Sequence, residues 1–214
     1  MTFIDRTLLF LTIIVAAFTL RKLFGDVRLS RSERGAHMLA QGVVLIASAL
    51  LSVFGWGILG LMGSGVSNKL VAIVSSLIPF SWASAVLIHY RPQLQKPFIL
   101  LMGVGLLLIT MNRFGELEGL ARMVYPVFHS IAGATVIASP VLAVRNKMAQ
   151  PGYIWVSVGG SLISAGGISL AFLSAGKQLL FLSQELVLTI MAPLLFFMTL
   201  TYSFGLITGR MAED

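Results

Sequence analysis

The sequence predicts an all-α integral membrane protein: a bundle of seven transmembrane helices, N-terminus outside and C-terminus cytoplasmic. Three observations carry that expectation. Only 11% of the 214 residues are charged and 57% are hydrophobic, whereas a soluble domain carries about 25% charged residues. Apolar runs of about 20 residues recur from end to end, the length needed to cross roughly 30 Å of hydrocarbon. The connections are short, with no linker or low-complexity tract, so residues 1–214 read as a single helical domain.

The first span, 7–23, contains the apolar run "TLLFLTIIVAAFTL", which Arg21 and Lys22 follow. A signal peptide carries its basic residues ahead of the apolar run, so this segment reads as a retained helix. The second span, 36–62, is rich in Gly and Ser. The third, 68–90, contains Pro79 and stops before "RPQLQ". The fourth is 97–113. The fifth, 121–144, holds Pro126 and Pro140, and the sixth is 152–175. The seventh, 178–207, holds Pro193. Each internal proline removes a backbone donor, which membrane helices tolerate where neighbours satisfy the freed carbonyl.

Orientation follows from the basic residues, which collect in the cytoplasmic loops of membrane proteins. With the N-terminus outside, the inner side holds Arg21, Lys22, Arg28, Arg31, Arg34, Arg91, Lys96, Arg145, Lys147 and Arg210. The outer side holds Arg6, Lys69, Arg113, Arg122 and Lys177, so the split of the fifteen is ten to five. The net charge of +7 belongs to those loops and points to the lipid bilayer as partner, not to nucleic acid. The expected location is a bacterial cytoplasmic membrane. The absence of cysteine excludes disulfides and thiolate metal sites.

Two spans carry small residues at helical spacing. In the sixth, Ser157, Ser161, Ala165 and Ser169 recur every fourth residue, with Gly160, Ser164 and Gly167 beside them. The fifth repeats the theme with Ser130, Ala134 and Ala138. Between helices in lipid, small residues let backbones approach and so provide the contact. Spans five and six are therefore expected to pack tightly.

Motifs for metalloprotease, serine-hydrolase or phosphate-loop chemistry are missing, and no lysine lies inside the last span to hold retinal. Ionisable groups within apolar spans then weigh most, because burying them in hydrocarbon is costly and they usually face the bundle interior. In "YPVFHSIAGATVIASP", His129 lies about eight residues inside the fifth span, and Glu185 seven or eight inside the seventh, each about 12 Å deep. Both spans start outside, so the two residues share a depth. With Tyr125 and Gln184 they form the candidate substrate or proton site. His37 opens the second span and His89 closes the third, both at the inner interface. Two imidazoles at similar height are the arrangement a heme b needs on its two faces.

The function expected is a carrier or channel for a small solute or ion, with a polar site in the outer half. No catalytic residue is assigned. The alternatives are a heme-binding redox subunit, and a non-catalytic subunit that docks on other membrane proteins or on a second copy of itself.

Overall fold

In the computed structural model the described residues are 1–58, 66–114, 118–174 and 183–209; at 66–69, 113, 118–122, 170–174 and 184 only the backbone is described. They form seven long helices: α1 (Phe3–Phe24), α2 (Arg31–Phe54), α3 (Val66–Tyr90), α4 (Gln95–Phe114), α5 (Glu118–Arg145), α6 (Ile154–Ser174) and α7 (Gln184–Thr208). Short 3-10 turns, Pro92–Leu94 and Pro151–Tyr153, lead into α4 and α6. Six helices have the length and apolar composition to cross a membrane: all except α6, whose described side chains, Ile154 to Ser169, make a run shorter than a span.

Local chemistry sets where the helices begin and end. Thr2 caps α1 in a capping box: its hydroxyl accepts from the Asp5 amide at 3.2 Å, and Asp5 Oδ2 accepts from the Thr2 amide at 2.7 Å. Satisfying these otherwise unpaired amides starts the helix ahead of the expected 7. Ser30 caps α2 by accepting from the Glu33 amide, so α2 opens at Arg31 instead of 36. It ends at Gly55, whose φ of +66° suits a residue without Cβ; the expected run to 62 therefore does not continue unbroken. Pro79, Pro126, Pro140 and Pro193 all lie inside helices.

The helices pack as a ring in the order α1, α2, α3, α5, α6, α7, closed by α7 against α1, with α4 outside against α3 and α5. The most apolar 18 residues of α3 are 67% buried and those of α4 only 17%, so α3 is the inner helix and α4 a peripheral one. At the centre the rings of Trp82 on α3 and Tyr202 on α7 stack at 3.8 Å, 10° from parallel, and both are fully buried.

The α5–α6 contact is present, but through a different row of small residues. A Cβ on Gly133 would meet Ser164 Oγ at 2.5 Å, and one on Gly160 would meet Val136 at 2.5 Å. The Ser157 hydroxyl crosses the seam and donates to the Ile137 carbonyl at 2.7 Å. The seam is thus Ser157, Gly160, Ser164 and Gly167, a spacing of three and four residues. Ser161 and Ala165 are exposed, and so are Ser130, Ala134 and Ala138 on α5. A strict spacing of four drifts round a helix of 3.6 residues per turn, so it leaves the contact that a three-and-four pattern follows.

Candidate buried polar site

α2 turns its polar residues inward. Glu33, His37, Gln41 and Ser48 fall on one helical face and all are buried, His37, Gln41 and Ser48 completely. Because α2 starts at Arg31, His37 lies about 9 Å along it, and α3 and α7 close over it.

Glu33, His37 and Gln41 each meet a partner from another helix. His89, near the end of α3, donates from Nδ1 to Glu33 Oε1 at 3.0 Å, with side-chain exposures of 16% and 8%. The Tyr202 hydroxyl and His37 Nδ1 share a hydrogen bond of 2.9 Å. Gln41 Nε2 donates to Ser203 Oγ at 3.3 Å. The ring of Tyr153, in the turn before α6, lies 5.3 Å from that of His89. At the rim Asn146 donates to the Tyr90 hydroxyl at 2.8 Å.

Several buried polar atoms of this cluster have no hydrogen-bond partner among the described residues: His37 Nε2, His89 Nε2, Gln41 Oε1, Ser48 Oγ, Trp82 Nε1 and Tyr153 Oη. Native proteins contain few such atoms, and each calls for an explanation. Both histidines have the same form, Nδ1 fixed by a neighbour and Nε2 open. Among the described residues no three His, Asp or Glu side chains converge as metal ligands. Comparison with protein families, curated proteins and solved structures found no match.

Of the four residues expected to share a site in the outer half, His129 and Tyr125 lie together, and Glu185 stands at a helix end. His129 is buried in α5, its ring stacked 5.2 Å from that of Tyr125, whose hydroxyl lies 3.3 Å from Ser75 Oγ on α3. Its Nε2 rests on Gly167 of α6, where a Cβ would collide with it. Neither ring nitrogen has a hydrogen-bond partner among the described residues. Glu185 is exposed in the first turn of α7, and no hydrogen bond or ion pair between it and His129 is present among the described residues. The expected shared depth is corrected by the caps: Ser183 accepts from the Leu186 amide and starts α7 there, not at 178, so Glu185 stands at the helix end. His129 meanwhile lies about 16 Å past Glu118. Gln184 opens α7, but its side chain is outside the described residues, as are those of Arg113, Glu116, Glu118 and Arg122.

His37 and His89 are corrected in the other direction. Both were placed at the inner interface, where span two opens and span three closes; α7 covers His37 through Tyr202, and Tyr153 in the turn before α6 lies against His89. Glu33, Gln41, Tyr153, Tyr202 and Ser203 escaped notice in the sequence. One signal was available: polar residues at 33, 37, 41 and 48 repeat at helical spacing, the last two inside a largely apolar run.

Proposed function

We propose that the chain is a carrier or channel for a small solute or ion in the cytoplasmic membrane of a bacterium. In this reading all seven helices span, with the N-terminus outside and the basic α1–α2 connection inside. The observation that carries it is the buried polar face of α2, Glu33, His37, Gln41 and Ser48, with its unpartnered atoms. Polar groups are expensive inside a bilayer and mark substrate or ion pathways, and helix association alone does not account for the atoms that make no bond to a neighbouring helix. His129, beside Tyr125, is a second polar station in the outer half, and Glu185 and Gln184 stand at the outer start of α7.

The test is reconstitution into proteoliposomes, following internal pH with a trapped dye and vesicle volume under gradients of Na⁺, K⁺ and small neutral solutes. Flux of at least one probe above that of empty vesicles, lost in His37→Phe and in Gln41→Leu, is the expected result. Vesicles indistinguishable from empty ones for every probe would overturn the proposal.

A second reading has one observation in its favour. His37 Nε2 and His89 Nε2 are both buried and unpartnered while their Nδ1 atoms are held, the second-shell support that axial ligands have. In that reading the two imidazoles hold a heme b, which supplies one-electron transfer, and Glu33 and Tyr202 orient them. A Soret band that appears on titration with hemin and is lost in His37→Ala supports it. No band with the native chain excludes it.

A further inference from the structure

We propose that the Glu33–His89 and His37–Tyr202 pairs are one proton relay, leading from the cytoplasmic end of the bundle into its middle. This deepens the carrier reading and rests on it for direction: the ion handled is the proton.

The relay has an entrance and an inner station. Glu33 and His37 are one turn apart on the buried face of α2. The entrance pair, His89 Nδ1 to Glu33 Oε1 at 3.0 Å, retains slight exposure, whereas His37 and Tyr202 have none. Three buried atoms of these two pairs and of Tyr153 have no hydrogen-bond partner among the described residues: His89 Nε2, Tyr153 Oη and His37 Nε2. Tyr153 sits against the His89 ring. Buried polar atoms of this kind are commonly bridged by ordered water, which makes about three hydrogen bonds. Water joining these three completes the chain Glu33–His89–water–His37–Tyr202.

The chemistry of each link suits its position. An imidazole binds a proton on one nitrogen and releases one from the other, so it passes a proton on with no net change of charge and ends as the other tautomer. At the entrance the Nδ1–H of His89 is held by the Glu33 carboxylate, which leaves Nε2 as the nitrogen that exchanges a proton with the next link. A proton taken up at His37 Nε2 leaves from Nδ1 to the Tyr202 oxygen as the Tyr202 hydroxyl gives its own proton to water deeper in the bundle, so neither side chain keeps a net charge. Gln41 and Ser48 continue the same face inward. The titratable groups acting on one another here are Glu33 from α2, His89 from α3, Tyr153 from the turn and Tyr202 from α7. No acid from α1 or α5 is among them.

The chain has three histidines, which makes a direct test possible. Histidine-labelled ¹⁵N protein in lipid nanodiscs reports how fast each ring N–H exchanges with solvent. His37, though fully buried, should exchange faster than His129, which is buried but off the relay. Glu33→Gln, which keeps shape and an acceptor, and His89→Phe should each slow His37 by about 10²-fold, the low end for removal of a positioned proton carrier, and leave His129 unchanged. If His89→Phe does not fold, His89→Gln replaces it. His37 exchanging no faster than His129, or unaffected by both substitutions, overturns the relay. Proton uptake by proteoliposomes tests the carrier reading separately. Fast, Glu33-dependent exchange without net uptake keeps the relay and removes only the carrier. Uptake that survives both Glu33→Gln and His37→Phe removes the relay.

Discussion

At the scale of single residues, Tyr202 does two things with one ring. Its face stacks on Trp82 and its hydroxyl holds His37 Nδ1. Tyr202→Phe keeps the stack and leaves a second buried nitrogen of His37 unpaired. The expected cost is about 1–3 kcal/mol, that of stranding a buried polar atom, seen as a lower thermal midpoint in detergent; an unchanged midpoint would mean that the bond contributes nothing. Gly167 is the other informative residue, since the His129 ring occupies the space a side chain would need. Gly167→Ala should destabilise, while His129→Ala should remove most of that penalty when the two are combined. Interaction energies of about 0.5–3 kcal/mol are usual for residues in contact, and strictly additive effects would contradict this geometry.

At the scale of elements, α6 is the helix that lets its neighbours come close, and it does so on two sides. Gly160, Ser164 and Gly167 face α5, while Gly159 and Gly166 lie against Met198, Tyr202 and Leu194 of α7. Because apolar surface gains nothing from leaving lipid for another helix, close backbone approach is what such a pair relies on. Gly133→Leu and Gly160→Leu should therefore lower the melting midpoint sharply, as overpacking typically costs about 1–3 kcal/mol. Ser161→Leu and Ala134→Leu, on exposed faces, should change it little. The reverse ranking in a detergent melt would show that the seam lies elsewhere.

At the scale of the whole molecule, the ring of α1, α2, α3, α5, α6 and α7 encloses the polar face of α2 and leaves α4 outside. The proposed orientation places Glu33 and His89 at the cytoplasmic end, beside the connection that holds Asp26 and Arg28; there Arg34, in the first turn of α2, donates to the Asp26 carbonyl at 3.0 Å. The chain has no cysteine, so single cysteines can be introduced for labelling without a background. A membrane-impermeant maleimide applied to intact cells should label Thr2→Cys and spare Arg28→Cys until the membrane is opened. Labelling of Arg28→Cys alone would invert the topology and place the relay entrance outside.

Composition and run length sufficed for the helical membrane architecture, because hydrocarbon thickness and the cost of bare charge act on any residue regardless of its neighbours. The prolines were likewise found inside helices as expected. What depends on a helix end was misjudged: the caps at Ser30 and Ser183 moved His37 inward and Glu185 outward, undoing the pairing of Glu185 with His129. Which small residues meet was also undecided by spacing, since Ser161 and Gly160 are adjacent in the chain and face different surroundings. Above all, Glu33 and His89 are 56 residues apart and His37 and Tyr202 are 165 apart. A sequence states that each is polar and costly to bury. Only the closing of α3 and α7 over α2 decides that they meet, because a buried polar group takes its partner from whichever helix packs against it.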